Sequence, residues 1–388
     1  MKPPLGFLPQ RSGTICKLNK SLYGLKQAPR CWFAKLSASL KHYEFLQSRS
    51  DYSLFVLQKS GVHIVVLVYV DDLVITGDKH DAINDFKAYL HDCFRMKDLG
   101  ILKYFLGIEV ARSSAGIFLC QRKYALDIIV ETGLMGAKPS NVPIEQSHRL
   151  ALAADVPFPH PEKYKRLVGR LIYPCFTRPE LSYCVHILSQ FMQEPKVDHW
   201  EAALRVVRYL KGNPGQGVLL QRDCDLQLQL SGWCDSDWAE FPLTRRSLTG
   251  WFVFLGSSPI SWETKKQQTV SRSSAEAEYR SLAAITGELK WLKGLLFTLG
   301  ISHPKPMKIH WDSQAALHIV KNPVFHERTK HIEVDCHYIR DEYLTGNIAP
   351  AYVPTQAQLA DMFTKAISPT QFTSLLSKLG ICNLHAPT

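Results

Sequence analysis

Residues 62–76 read Val-His-Ile-Val-Val-Leu-Val-Tyr-Val-Asp-Asp-Leu-Val-Ile-Thr, two β-branched runs that meet at a pair of adjacent carboxylates, Asp71 and Asp72. Val, Ile and Thr favour extended backbone, and the apolar run from Ile64 to Val70 is far short of the roughly 20 residues a membrane helix needs. The pattern predicts a β-hairpin with its acids at the tight connection. Asp is common in turns, so position alone gives only a polar turn. Two carboxylates held side by side by stiff apolar strands repel, however, unless a cation lies between or beside them. Tyr69 and Val70 extend the pair to Tyr-Val-Asp-Asp, a far narrower pattern than two acids.

At 388 residues the chain exceeds the usual size of one hydrophobic core, so two or three domains are expected. A hydrophobic content of 46% belongs to a folded chain rather than a disordered one. The net charge of +11, from 46 Lys and Arg against 35 Asp and Glu, favours an anionic partner. Residues 1–50 alone hold nine Lys or Arg and a single acid, Glu44; the bland reading of that excess is a solvated basic face. Ten scattered cysteines form no C-x-x-C pair and no Cys/His cluster at zinc spacing, which points to reduced thiols in an intracellular protein. No secretory signal opens the chain, and the membrane is set aside as a partner.

A polar, Pro-rich stretch around Pro143 to Pro161 reads as a linker. Between Glu162 and Lys211 the apolar residues recur at helical spacing, as with Leu167 and Leu171 or Ala203, Val206, Val207 and Leu210. Asn213 to Gly217 then reads as a turn. From about Gln227 the expected order is strand, strand hairpin, long helix, strand, helix, helix, strand, helix, the alternation of an α/β domain with a covered sheet.

That last region distributes acids at element ends. Leu228 to Trp238 reads as a strand ending in Asp235 and Asp237; Asp235 shares the face of Trp233, and Asp237 is read as a strand-end residue. In the helix that follows, Ser273-x-x-Glu276 has capping-box spacing, which accounts for Glu276. The stripe of Leu282, Ile285, Leu289, Leu292, Leu296 and Leu299, extended one step back, reaches Glu278. Glu278 is thus expected on the buried face, balanced by a metal ion or, more plainly, by a Lys or Arg. Asp312, after the strand Met307 to Trp311, suits a helix N-cap. Thr355-x-x-Gln358 suits a capping box that leaves Asp361 in the first turns of the final helix. Neither Asp312 nor Asp361 is persuasive alone; their order along the chain is.

Three stretches occur in order: Ser21 to Arg30 (Ser-Leu-Tyr-Gly-Leu-Lys-Gln-Ala-Pro-Arg), Tyr69 to Asp72, and Leu102 to Val110 (Leu-Lys-Tyr-Phe-Leu-Gly-Ile-Glu-Val). Trp233 to Trp238, Ser273 to Tyr279, His310 to Ser313, Lys330 to His337 and Leu359 to Lys365 follow. On these motifs the chain resembles the copia-type (Ty1/copia) retrotransposon Pol polyproteins along nearly its whole length. The resemblance implies α/β and α+β folds: a partial reverse transcriptase palm over 1–145, a helical thumb or connection over 146–225, and a ribonuclease H-like mixed sheet with helices over 226–388. Asp71 and Asp72 would be polymerase metal ligands. Gly24, Lys26, Gln27, Arg30 and Tyr69 would lie near template and nucleotide, and Phe105 to Gly107 would resemble a primer grip. Asp235, Glu278, Asp312 and Asp361 would be the ribonuclease H acids. His331 and His337 are read as solvated helix residues.

The implied cofactor is Mg²⁺ or Mn²⁺, two ions per active site, since hard oxygen ligands suit these and not zinc. The implied partners are an RNA·DNA hybrid, told from DNA by its 2′-hydroxyls, primer-template nucleic acid and other polyprotein products. The implied location is cytoplasmic, within a virus-like particle, or nuclear. The family places a third polymerase Asp upstream of a segment similar to Met1 to Phe7, so the fingers, the first palm strand, and the protease and integrase segments are expected to be missing. The expected function is metal-dependent hydrolysis of the RNA strand of hybrids with polymerase activity impaired. The alternatives are an inactive remnant that only binds nucleic acid, and a sequence cut from a longer open frame.

Overall fold

The computed structural model describes residues 15–19, 22, 24–153, 156–222, 228–321 and 333–383. Met1 to Phe7, Ser21, Tyr23 and His331 lie outside the described residues. The chain divides into two compact units, residues 1–100 with 298–300, and residues 101–297 with 301–388.

In the first unit α1 (Ala28–His42) precedes an antiparallel sheet of β1 (Leu46–Gln47), β2 (Leu54–Lys59), β3 (Val62–Tyr69) and β4 (Asp72–Gly77), and α2 (His80–Phe94) follows. Pro29 sits in the first turn of α1, where its missing N–H has no helical partner to lose. Alternate β3 residues Ile64, Val66 and Val68 bury with Leu36 and Leu40 of α1 and with Phe86 and Leu90 of α2. The expected hairpin is present: Tyr69 pairs with Asp72, leaving Val70 and Asp71 as the connection.

The second unit begins with β5 (Tyr104–Phe105), β6 (Ile108–Ser113) and β7 (Gly116–Cys120), then α3 (Arg122–Glu131), α4 (Pro161–Ile172), α5 (Ser182–Ser189) and α6 (Val197–Gly212), and β8 (Gln216–Gln221). Next come β9 (Leu230–Ser236), β10 (Leu248–Leu255), β11 (Ser258–Lys266), α7 (Ser274–Thr298), β12 (Met307–Trp311) and α8 (Gln314–Lys321). The described chain closes with α9 (Glu333–Leu344), β13 (Ile348–Tyr352), α10 (Pro369–Lys378) and β14 (Ile381–Asn383). One sheet has the order β11-β10-β9-β12-β13; β9, β10 and β11 are antiparallel, and β12 runs parallel to both β9 and β13. This is a mixed sheet with helices, as expected for residues 226–388. One of its faces buries Leu282, Ile285 and Leu289 of α7 with Cys336 and Ile339 of α9. Phe252 and Phe254 of β10 join the other core, with Phe363 and the helices α4 to α6. The stripe read at helical spacing is inside: Leu171, Val207 and Leu210 are fully buried.

Two features depart from the sequence reading. The stretch from Pro143 to Pro161 is no free linker, because Val142, Ile144 and Leu150 are buried in the helical core and His199 Nε2 bonds the Leu150 carbonyl at 2.8 Å. β5, β6 and β7 pair with β8 and β14 in a second sheet, β14-β8-β7-β6-β5, within the compact unit that begins at residue 101. Asp361 does not lie in the final helix. It sits in a 3-10 turn, Leu359–Phe363, and α10 starts only at Pro369, whose ring holds Ser368 extended (ψ 152°).

Candidate active site

Asp235 is the last residue but one of β9, is 1% exposed, and stands opposite Gly250 of β10. A Cβ on Gly250 would come within 2.7 Å of both Phe363 and Thr364, so glycine is what lets the 359–364 segment lie against the sheet. That approach delivers two side chains to Asp235: the Thr364 hydroxyl donates to Oδ2, and Lys365 Nζ lies 3.2 Å from the same oxygen. The same ammonium is 2.8 Å from Asp361 Oδ1. Asp312 follows β12; since α8 begins at Gln314, the N-cap position belongs to Ser313, and Asp312 Oδ2 instead accepts from the Thr355 hydroxyl at 3.1 Å. One carboxylate oxygen from each of Asp235, Asp312 and Asp361 lies within 4.8 Å of the other two.

Glu278 reaches the group from α7. Its Oε2 accepts from Trp311 Nε1–H at 2.8 Å, so its direct partner is an indole rather than a Lys or Arg. Burial pushes its carboxyl well above the usual range, and the charges of Asp235 and Asp312 add to that while the indole N–H and Lys365 oppose it. The helix-face expectation needs one correction. Glu276 is the more buried of the two, at 3% exposure, and Glu278 is half-buried. Glu276 is satisfied within its own helix start: the Ser273 hydroxyl accepts from its N–H at 3.2 Å, its carboxylate accepts from Arg272 N–H at 2.7 Å, and Arg280 pairs with it at 2.7 Å. Glu278 is half-open because it faces the carboxylates at the sheet's end rather than the apolar core.

Burial raises the carboxyls of Asp235 and Asp361, the latter to about 6, and each also feels the other acids; Lys365 works against both shifts. For Lys365 burial lowers the pKa, but the Asp235 and Asp361 carboxylates outweigh it and the ammonium is held charged. Asp237, just past β9, is a buried turn acid whose Oδ1 accepts from the Leu248 N–H. Thr355 and Gln358 form no capping box; Gln358 accepts from Ala360 N–H at 3.1 Å and donates to the Cys234 carbonyl at 2.9 Å, tying the 3-10 turn to β9. His337 is exposed on α9 beside Glu333. Lys365, Thr364 and Trp311 carry no role of their own in the sequence reading, and Gln358 enters it only as a capping residue. The spacing of Asp361 and Lys365, four residues apart, was the available signal for the first.

In the first unit the hairpin tip is open: Tyr69 and Val70 are each 54% exposed, and Asp71 and Asp72 are exposed. Trp32 of α1 donates its indole N–H to the Val70 carbonyl at 2.7 Å. This brings the start of α1, with Gln27 as N-cap and Lys26 and Arg30 exposed, to the hairpin, and Gly24 lies in the preceding turn at φ 87°. Tyr104 to Gly107 belong to the second unit, where Leu106 and Gly107, both with positive φ, make the tight turn between β5 and β6.

Known proteins similar to this chain give its class. Residues 1–146 match the family described as Reverse transcriptase (RNA-dependent DNA polymerase). Over 382 residues the chain is 43% identical to the Retrovirus-related Pol polyprotein from transposon RE1 of Arabidopsis thaliana, covering 98% of this chain and 26% of that protein. It is 34% identical to the Pol polyprotein from transposon TNT 1-94 of Nicotiana tabacum (96% of this chain, 28% of that protein). With the putative transposon Ty5-1 protein of Saccharomyces cerevisiae it shares 31% identity over 72% of this chain and 91% of that protein. Among solved structures, a foamy viral protease-reverse transcriptase in complex with double-stranded DNA aligns at TM-score 0.44 and 12% identity, over 84% of this chain and 49% of that one. Ribonuclease H1 of Halobacterium salinarum aligns at TM-score 0.26 and 15% identity, over 35% of this chain and 94% of that one. The chain belongs to the copia-type retrotransposon Pol family. It spans about a quarter of the length of the plant polyproteins it matches.

Proposed function

We propose that the second unit hydrolyses the RNA strand of RNA·DNA hybrids with a divalent metal, through Asp235, Glu278, Asp312 and Asp361. The observation that carries this reading is the convergence of three aspartates within 4.8 Å from the two sheet strands and the 3-10 turn, with Glu278 turned toward them from α7. Four acids against one ammonium leave a surplus of negative charge, and all the donors are hard carboxylate oxygens, so the residues fit Mg²⁺ or Mn²⁺. Bound there, a pair of such ions would supply an activated water and stabilise the leaving 3′-oxygen. The protein's part is orientation. Thr364 fixes Asp235, Thr355 fixes Asp312, and Trp311 fixes Glu278, each by donating to one carboxylate oxygen.

On this reading the exposed tip at Asp71 and Asp72 is the metal-holding part of a polymerase palm, with Gly24, Lys26, Gln27, Arg30 and Tyr69 beside template and nucleotide. Among the described residues no helix is long and apolar enough to cross a membrane; the proposed setting is a cytoplasmic particle or the nucleus, with hybrid and other polyprotein products as partners. The test is incubation of purified chain with a labelled RNA·DNA hybrid and Mg²⁺ or Mn²⁺. Internal cuts in the RNA that leave 3′-hydroxyl ends are expected. Folded protein that binds hybrid but never cuts it, with either ion, would leave a nucleic-acid-binding remnant.

A further inference from the structure

Lys365 is the only ammonium in contact with the three clustered aspartates among the described residues, and it touches two of them, Asp361 at 2.8 Å and Asp235 at 3.2 Å. Its setting is asymmetric. The carboxylates it pairs with are 1% and 5% exposed, whereas its own side chain is 34% exposed. A purely structural lysine in a core ion pair would be closed on all sides; this one has a solvent route along a flexible four-carbon stem. Its partners are also the wrong ones for a permanent pair, because they are the oxygens a divalent ion would need. Yet removing the ammonium with nothing in its place would leave buried acids uncompensated, which is costly.

We propose that Lys365 is an exchangeable counter-cation: its ammonium holds the Asp235 and Asp361 carboxylates together in the metal-free protein, competes with divalent ions for them, and is released toward the substrate phosphates when ions bind. The proposal rests on the metal-centre reading above. It makes Lys365 a positioning residue for the acids and explains how the cluster folds before any ion arrives.

Competition predicts a gain of affinity on losing the lysine. In Lys365→Met, Mn²⁺ followed by its electron paramagnetic resonance should bind at least about tenfold more tightly than in the parent chain, since one positive charge beside the ligands is gone. The metal-free variant should melt earlier than the parent, and saturating Mn²⁺ should close most of that gap. Lys365→Arg, which keeps the charge, should restore metal-free stability. A second measurement needs no variant: acylation of Lys365 in the parent chain, mapped by mass spectrometry, should increase several-fold when Mn²⁺ is added. If Mn²⁺ binds the parent but Lys365→Met binds it no more tightly, or acylation at residue 365 is unchanged by metal, Lys365 is a fixed structural partner and the proposal fails while the metal centre stands. If the parent binds no Mn²⁺ at all, the metal-centre reading fails and takes the proposal with it.

Discussion

The indole nitrogen of Trp311 lies 2.8 Å from Glu278 Oε2, a bond that joins the last residue of β12 to α7 and aims the only helix-borne acid at the strand-end carboxylates. Trp311 is itself 1% exposed, so this donor is held in place by packing. Trp311→Phe should keep the ring's burial and lose the bond. Removing such a supporting hydrogen bond is expected to lower metal affinity and cleavage by roughly 10- to 100-fold. Because the N–H lowers the Glu278 pKa, its loss should also move the acid limb of the cleavage profile to higher pH. A variant with unchanged cleavage at every pH would show that the indole only fills space.

Asp235→Asn and Glu278→Gln should each abolish cleavage in a hybrid assay while the chain stays folded by circular dichroism. Glu276→Gln is the internal control. Its oxygen can still accept from Arg272 N–H, and only the charge paired with Arg280 is lost, a change of about 1 kcal/mol in a chemical denaturation curve with cleavage largely intact. The reverse result, activity lost at Glu276 and kept at Glu278, would overturn the assignment of the helix faces.

The hairpin at Asp71 and the stripe on α7 are legible because side-chain periodicity is a local property: period two for β3, and steps of three and four for Leu282 to Leu296. What periodicity cannot show is where an element ends relative to its neighbours. Glu278 continues the stripe but is half-buried and bonded to the Trp311 indole, whereas Glu276 is buried against Arg280. The pairing of β8 with β14 joins segments far apart in sequence and leaves no periodic trace. Lys365 was hidden for a related reason. Its contact with Asp235 depends on Gly250 admitting a 3-10 turn against β10, a steric fact of the assembled sheet. Trp32 likewise reads as an ordinary helix residue until β3 and β4 bring Val70 to it.

Val70 adopts φ 50°, a region costly for a β-branched residue, and is 54% exposed, so its side chain contributes little packing. Val70→Gly should therefore change stability by less than about 1 kcal/mol in either direction, the relief of strain offsetting the added freedom of the unfolded chain. Val68→Gly, two residues earlier and 4% exposed, should cost on the order of 3 kcal/mol. Hydrogen exchange at the amides of β3 and β4 reads both. A Val70→Gly loss as large as that at Val68 would mean that the turn is not strained.

The metal-free protein should lose stability as pH rises from about 4 to about 7. Burial, opposed by the Leu248 N–H, pushes Asp237 up to about 7, and burial with the Asp235 charge pushes Asp361 up to about 6. Unfolded, both acids would return to the usual Asp value of about 3.9. Between about pH 4 and pH 7 the folded chain thus binds protons that the unfolded chain releases, so these two groups oppose folding increasingly as pH rises, with the effect complete above about 7 and absent below about 4. Asp237→Asn keeps an oxygen for the Leu248 N–H and removes that group's share. The variant should be more stable than the parent by a few kcal/mol at pH 8 and equal to it near pH 4, measured by urea denaturation without metal. Mn²⁺ should offset the part due to Asp361 in both proteins and leave the difference at Asp237 in place, because Asp237 lies outside the clustered trio. A parent-to-variant difference that does not grow with pH would show that Asp237 is ionised in the fold without penalty.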